Sequence, residues 1–100
     1  MNRSGVLTLI SENPAAHGIF DKPTETSRTV FCTIRSVGYS EYYRALEYGL
    51  HPSIVFVLAD YAEYQGEKIA EFEGQRYRVI RTYETGGSIE LTAEEVTVDA

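Results

Sequence analysis

The fold is decided by the stretch Lys68-Ile-Ala-Glu-Phe-Glu-Gly-Gln-Arg-Tyr-Arg-Val-Ile80, which continues as Arg81-Thr-Tyr-Glu-Thr-Gly-Gly-Ser-Ile-Glu-Leu-Thr-Ala-Glu-Glu95. Apolar and polar residues alternate along much of it, and glycines interrupt it at Gly74 and at Gly86-Gly87. Alternation with a period of two is typical of half-buried strands, and glycine supplies the positive φ that a tight hairpin turn needs. We therefore predict three consecutive antiparallel strands, Lys68 to Phe72, Arg76 to Glu84 and Ile89 to Glu95.

Two registers compete in the last hairpin, and they pair different residues. With Gly86-Gly87 alone as the turn, apolar or aromatic residues would face acidic ones: Val79 with Glu94, and Tyr83 with Glu90. With Thr85-Gly86-Gly87 as a three-residue loop, the pairs would match in character: Val79 with Ala93, Tyr83 with Ile89, and Arg78 with Glu94. We favour the three-residue loop because it collects apolar partners on one face. The residues predicted to be structural, in turns or in the core, are Gly74, Tyr77, Val79, Gly86, Ile89 and Leu91.

Three more strands are predicted upstream. Val6 to Ile10 and Arg28 to Ser36 alternate, and the nearly continuous apolar run Ser53 to Ala59 fits a central strand covered on both faces. A change of period at Ser40 predicts a short helix over Glu41 to Tyr48, with Ser40 as its N-cap and Gly49 after its end. About six strands, one short helix and long loops predict a mainly β protein. We expect a small antiparallel β-barrel or sandwich, in a single domain over residues 1–100.

Composition narrows the classes of function. The chain has 100 residues and a net charge of −6, which opposes the phosphate neutralisation that drives nucleic-acid binding. The same acidity suits a surface along which DNA slides without sticking. The single cysteine, Cys32, shares a strand face with Val30 and Ile34 and is expected to be a buried thiol. Met1 to Ile10 is too short for a signal peptide or a membrane span, so the cytoplasm of the producing cell is the expected location.

No constellation typical of catalysis is present in the sequence. The histidines, His17 and His51, have no sequence context that pairs them with a nucleophile, and no metal-ligand spacing or phosphate-binding motif occurs. We therefore expect no enzyme activity, no metal and no cofactor. The acidic residues of the last strands are expected to be solvated surface charges: Glu71, Glu73, Glu94, Glu95 and Asp99.

Tyrosine is the informative excess, with eight residues and no tryptophan. Tyrosine offers a large contact area and a polar tip, so a cluster of tyrosines on a small domain favours protein–protein contact. Four of them flank or occupy the short helix. The segment Val37 to Pro52 is therefore the first candidate for protein–protein contact, through Tyr39, Tyr42, Tyr43 and Tyr48.

A long loop over Ser11 to Ser27 is the second candidate segment. Turn-forming residues cluster there and few are apolar, and loops of this length are usually functional or mobile. The residues expected to form this mobile loop are Asn13, His17, Gly18, Phe20 and Lys22.

The order of these segments resembles the head-closure, or head–tail joining, family of long-tailed bacteriophages over nearly the whole chain. The clearest part is the stretch from Lys68 to Glu95, where the family has a turn glycine, a tyrosine three residues later, an aliphatic pair and a final strand with an acidic end. The matching residues are Gly74, Tyr77, Val79, Ile80, Ile89, Leu91, Glu94 and Glu95. The chain departs from the family at Phe56 to Ala59, where an arginine and further polar residues are expected.

The resemblance implies a β-barrel adaptor that forms a homo-oligomeric ring beneath the portal of the virion head. Such a ring closes the head after DNA packaging and docks the tail, while DNA passes through it without sequence-specific binding. In such a ring, the Ser11 to Ser27 loop and the Val37 to Pro52 segment would contact a neighbouring subunit or line the channel. The candidate residues of the Val37 to Pro52 segment are Tyr39, Glu41, Tyr42, Tyr43 and Tyr48. Its partners would be further copies of itself, the phage portal or adaptor protein, and a tail protein. Two alternatives are a tail-completion or terminator subunit and, from another class, a single-strand nucleic-acid binder of the OB type whose tyrosines stack on bases.

Overall fold

The computed structural model describes residues 3–13 and 24–96. Its strands are β1 (Arg3–Asn13), β2 (Thr24–Arg35), β3 (Ile54–Leu58), β4 (Ile69–Phe72), β5 (Gln75–Thr85) and β6 (Ser88–Glu95). Within these residues, an α-helix, α1 (Tyr39–Leu46), joins β2 to β3, and a 3-10 helix (Tyr61–Glu63) joins β3 to β4. The strands form a closed barrel in the order β1-β2-β3-β6-β5-β4. The mainly β prediction is confirmed, and of the two predicted architectures the barrel is correct.

The barrel consists of two consecutive three-strand meanders. β1 to β3 form the first and β4 to β6 the second, and the sheet closes where β1 pairs with β4 and β3 pairs with β6. All neighbours are antiparallel, so the strand ends gather at two ends of the barrel. We call the end that holds the beginning of β1 and the end of β2 the lower end, and the end that holds the β5–β6 turn the upper end.

The core lies inside the barrel and takes alternate residues from both meanders. Leu7, Leu9, Phe56, Leu58 and Leu91 are fully buried. The Phe56 ring lies 5.7 Å from the Phe72 ring and 5.4 Å from the Tyr77 ring, measured between centroids. Aromatic pairs at such distances add to the stabilisation that apolar burial provides. The predicted core residues Ile89 and Leu91 are buried, Val79 and Tyr77 pack against the core, and Cys32 is buried as expected.

Both tight hairpins of the second meander turn at the predicted glycines, but the favoured three-residue loop Thr85-Gly86-Gly87 is wrong, because Thr85 belongs to β5. Phe72 pairs with Gln75 and Thr85 pairs with Ser88, which leaves two turn residues in each hairpin. Those residues have positive φ: 51° at Glu73 and 80° at Gly74, then 58° at Gly86 and 87° at Gly87. Two central residues with positive φ match the twist of the flanking strands, which is why such turns are favoured in hairpins.

The β5–β6 hairpin uses each of the two competing registers along half of its length. Next to the turn the two-residue register holds, and Tyr83 faces Glu90; the predicted pairing of Tyr83 with Ile89 is wrong. The register shifts between Val79 and Arg81, and beyond this β-bulge the favoured register holds: Val79 faces Ala93 and Arg78 faces Glu94. One extra residue on β5, Ile80, therefore allows the short glycine turn and the apolar pairing to coexist.

The predicted loop from Ser11 to Ser27 is wrong at both of its ends. β1 continues to Asn13 and β2 begins at Thr24, with Ser11 facing Thr26 and Glu12 facing Glu25. These residues have no other strand partner in the described barrel, so they form a two-stranded ribbon that extends beyond its upper end. The backbone N–H and C=O groups of the ribbon are satisfied by pairing with each other, without apolar burial. The apolar pattern of the sequence therefore gives no sign of the ribbon. Asn13 thus lies in a strand rather than in a loop.

The helix begins and ends two residues earlier than predicted. Gly38 occupies the N-cap position without a side-chain hydrogen bond, so Ser40 is not the cap. Tyr48 lies after the helix, where its backbone N–H donates to Ala45 O. Gly49 follows with a φ of 75°, a conformation that suits glycine, so the predicted stop is confirmed.

Candidate functional site

The segment around α1 carries the tyrosines that the sequence singled out, and it leaves them in solvent. Tyr39 is 86% exposed and Tyr48 is 76% exposed, and Tyr42 and Tyr43 are also exposed. The rings of Tyr42 and Tyr43 meet edge to face, with 5.7 Å between centroids. No residue of α1 is buried. We call these four tyrosines the tyrosine surface.

Glu41, predicted as a contact residue together with these tyrosines, instead faces the outer surface of its own barrel. Its Oε1 accepts a hydrogen bond of 2.8 Å from the hydroxyl of Thr92 on β6. Its Oε2 lies 3.9 Å from the guanidinium of Arg35 on β2, which also forms a 2.5 Å ion pair with Glu90. These polar contacts link α1 to two strands of the barrel.

A groove lies between the α1 segment and the β-bulge of β5. Its apolar lining comes from Ala45, Tyr48, Leu50, Pro52 and Ile80. Its volume is about 250 Å³. The polar residues Arg44 and Arg81 stand beside this lining. The groove exists because the bulge turns Ile80 towards α1, and the hairpin registers weighed from the sequence contained no such bulge.

Glu94 corrects the expectation of solvated acidic residues on the last strand. Only 9% of its surface is exposed, and it accepts a hydrogen bond of 3.1 Å from the backbone N–H of His51 and another from Arg78. Burial opposes ionisation, but these donors outweigh it and keep the pKa of Glu94 below its ordinary value. Glu71, Glu73 and Glu95 are not buried, and Asp99 lies outside the described residues.

An ion pair closes the upper end of the barrel interior. Arg28 shares the inner face of β2 with Val30, and its Nε donates to Glu67 Oε2 at 2.6 Å. Glu67, itself buried, also accepts a hydrogen bond of 2.8 Å from the backbone N–H of Gln65. Burial raises the pKa of the Glu67 carboxyl group, but Arg28 and the backbone donors lower it by more. Glu67 is therefore held as a carboxylate.

An exposed apolar pair lies on the outer face of the first hairpin. Phe31 on β2 is 80% exposed and faces Val6 on β1, which is 52% exposed. A Phe side chain in solvent is unusual because its burial is strongly favourable. Phe31 was not among the predicted site residues, although a signal was present: it is the aromatic member of a strand face shared with Thr33 and Arg35.

The remaining predicted residues are placed as follows. His17, Gly18, Phe20 and Lys22 lie outside the described residues. Tyr83, whose predicted partner was Ile89, is exposed near the tip of β5. Within residues 3–13 and 24–96, no group of three His, Cys, Asp or Glu side chains could hold a metal ion. Neither described helix has the length and apolar character needed to cross a membrane.

No protein-family model matches this chain, and no curated protein is significantly similar to it in sequence.

Proposed function

We propose that this chain is a structural subunit of a tailed bacteriophage that assembles as a ring at the head–tail interface. The ring closes the portal after DNA packaging and docks the tail, and the protein has no enzymatic role. Its partners are further copies of itself, the portal or adaptor protein, and a tail protein. Its final location is the virion, and it passes through the host cytoplasm before assembly.

The observation that carries the proposal is the amount of large apolar and aromatic surface that this small domain leaves in solvent. Eight such side chains are exposed among the described residues, and four of them form the tyrosine surface. Monomeric proteins rarely expose contiguous apolar surface without a use for it, and tyrosine is enriched where proteins meet. An assembly subunit accounts for this surface, because a ring covers it.

The positions of the residues that resemble the head-closure family support the same proposal. Gly74 occupies a hairpin turn, Ile89 and Leu91 lie in the core, and Glu94 is fixed beside Arg78. The resemblance therefore falls on the residues that shape the barrel, and the exposed residues between them are free to differ with the partner.

The fold argues against the alternative of a single-strand nucleic-acid binder of the OB type. An OB-fold is a five-stranded, partly open Greek-key barrel that binds through positively charged and aromatic surfaces. This barrel has six strands in two meanders, and the chain carries a net charge of −6. We therefore favour the assembly role.

The direct test is electron microscopy of lysates from the source phage or prophage after disruption of this gene, with heads and tails scored separately. Head closure predicts tailless heads that have lost DNA, beside free tails of normal length. Normal infectious virions would refute the proposed function. Aberrant tails beside intact, filled heads would favour a tail-completion subunit, and binding of the purified protein to portal-bearing heads rather than to tail tubes distinguishes the two roles.

A further inference from the structure

We infer that neighbouring copies join when Phe31 of one copy inserts into the groove between α1 and β5 of the next. This inference rests on the proposed function, since it specifies how the ring would be built. We call Phe31 and Val6 the knob. The groove is the one lined by Ala45, Tyr48, Leu50, Pro52 and Ile80.

The knob is apolar surface that the subunit itself does not cover. Phe31 projects from the outer face of the barrel, opposite to the buried side of β2 that holds Val30 and Cys32. Val6 faces it directly across the hairpin, so the two side chains form one apolar patch. Aromatic side chains that become fully buried are the residues that most often dominate binding energy.

The groove is apolar and large enough for an aromatic ring. A cavity of about 150 Å³ lined by apolar side chains binds benzene, and the groove has a volume of about 250 Å³. Its walls come from two elements, α1 with its following turn on one side and the Ile80 bulge on the other. A phenyl ring in this position would contact both walls and fix α1 against the barrel.

The order of the strands places the knob and the groove on opposite sides of the molecule. In the closed order β1-β2-β3-β6-β5-β4, two strands separate β2 from β5 in either direction. One copy can therefore hold a neighbour at each side at once. A contact between two different patches is head-to-tail, and repetition of such a contact closes into a ring when its rotation allows.

The charged residues also differ between the groove side and the knob side of the molecule. Arg44 and Arg81 stand at the groove and form no ion pair within the described part of the chain. On the knob side, the ribbon of β1 and β2 carries Glu12 opposite Glu25. Glu25 is paired with Arg76 at 3.3 Å, whereas Glu12 forms no ion pair within the described residues. A neighbouring copy that brings its arginines to this ribbon would supply a partner for Glu12, whereas contact between two like sides would not.

The test uses two variants of the full chain, Phe31→Ser and Ala45→Trp. The first removes the knob and the second fills the groove, and both substitutions are at positions outside the barrel core. Sedimentation and NMR up to about 1 mM detect self-association down to millimolar affinity. We expect the wild-type chain to associate beyond the dimer, and we expect each variant alone to associate roughly thirtyfold more weakly, as for other buried aromatic anchors. An equimolar mixture of the two variants should form dimers and nothing larger, because one knob and one groove remain.

The control variant is Tyr61→Ser, which removes a similarly exposed aromatic side chain away from both surfaces and should associate like the wild type. Wild-type protein that stays monomeric with unchanged NMR spectra to 1 mM, undiminished association of Phe31→Ser, or a mixture without dimers would each overturn the inference. A phage carrying Phe31→Ser that forms normal virions would also overturn it, while leaving the head–tail role intact. Normal virions without the gene would refute the role itself.

Discussion

Gly5 lies on the inner face of β1, where the absence of a side chain makes room for the Phe72 ring. A Cβ atom added at Gly5 would lie 2.8 Å from Phe72 Cε1, which is closer than van der Waals contact allows. The ring cannot easily move, because it is buried and packs against Phe56. Gly5→Ala is therefore expected to lower the free energy of unfolding by about 1–3 kcal/mol, the usual cost of overpacking a core.

Chemical denaturation of the Gly5 variant measures this cost. Ser4→Ala is the control, because Ser4 is the exposed neighbour of Gly5 on the same strand. A smaller side chain at position 72 should restore the lost space, so Phe72→Leu is expected to cost less in the Gly5→Ala background than in the wild type. Equal costs in the two backgrounds would mean that Gly5 and Phe72 do not share a steric constraint.

The Arg28–Glu67 pair makes stability depend on pH in a defined direction. The folded protein holds the pKa of Glu67 below its ordinary value of 4.5, since hydrogen bonds to Arg28 and to the backbone outweigh burial. The folded state thus binds this proton less readily than the unfolded state. The contribution of Glu67 is therefore fully present above pH 4.5 and decreases as pH falls through the lowered pKa.

We expect Glu67→Gln to be less stable than the wild type at pH 7 by about 1–3 kcal/mol, as when a buried charged hydrogen bond is lost. The difference should shrink as the pH falls below 4.5, where the wild type loses its carboxylate. Urea denaturation across this pH range measures the difference. Glu84→Gln, an exposed residue of β5, should change stability by less than about 0.5 kcal/mol at neutral pH. A Glu67 difference that is constant with pH would exclude ionisation as its source.

Side-chain environments were the least predictable feature at this scale. Alternation in β2 correctly separated Cys32 from Phe31, but it assigned no role to the face on which Phe31 lies. Glu94 was expected in solvent because its strand ends in acidic residues. Its pairing with Arg78 across the hairpin was predicted, but its burial also depends on the backbone of His51, 43 positions away. Contacts of this kind exist only after the chain has folded.

Among the elements, α1 has no fully buried residue, and Glu41 links it to the barrel by polar contacts. Glu41→Ala removes both the 2.8 Å hydrogen bond from Thr92 and the ionic contact with Arg35. We expect the amides of α1 to exchange with solvent markedly faster in this variant, while the global free energy of unfolding falls by no more than about 1 kcal/mol. Hydrogen exchange read by NMR separates the two effects, with the Tyr42 amide, which donates to Gly38 O, as the reporter.

Glu47→Ala is the matched control, because Glu47 is an exposed carboxylate at the C-cap of the same helix. It should leave exchange in the first turn unchanged. Equal acceleration by both substitutions would show that α1 responds to lost helical charge rather than to the contact with Thr92.

Element types were predictable where apolar periodicity or turn glycines are strong, as in β3 and in the Gly74 hairpin. The predicted ends of the elements were wrong where interactions other than apolar burial determine them. The ribbon beyond Ile10 persists through backbone pairing of polar residues, and the bulge at Ile80 reconciles a turn preference with a packing preference. The bulge cannot be predicted when a single register is assumed along the whole hairpin. The groove beside α1 was unpredictable for the same reason.

At the scale of the whole molecule, the barrel should unfold as one unit although its closure is narrow. β1 and β4 share only three residue pairs, Thr8 to Ile10 with Ile69 to Glu71. The two meanders nevertheless share one core, because Phe56 of the first packs against Phe72 and Tyr77 of the second. A core contributed by both meanders makes partial opening costly, since either meander alone would expose its apolar face.

Phe56→Leu tests this coupling because it shortens the side chain that joins the meanders and keeps it apolar. We expect the free energy of unfolding to fall by about 1–2 kcal/mol, through lost burial and lost aromatic contacts. Circular dichroism, which follows all strands, and tyrosine fluorescence, which includes Tyr77 beside Phe56, should still give one coincident transition. Tyr83→Leu is the control, because this exposed ring near the tip of β5 does not join the meanders. Two separated transitions in the Phe56 variant would mean that the meanders are independent units, joined only by the strand pairing of β1 with β4 and of β3 with β6.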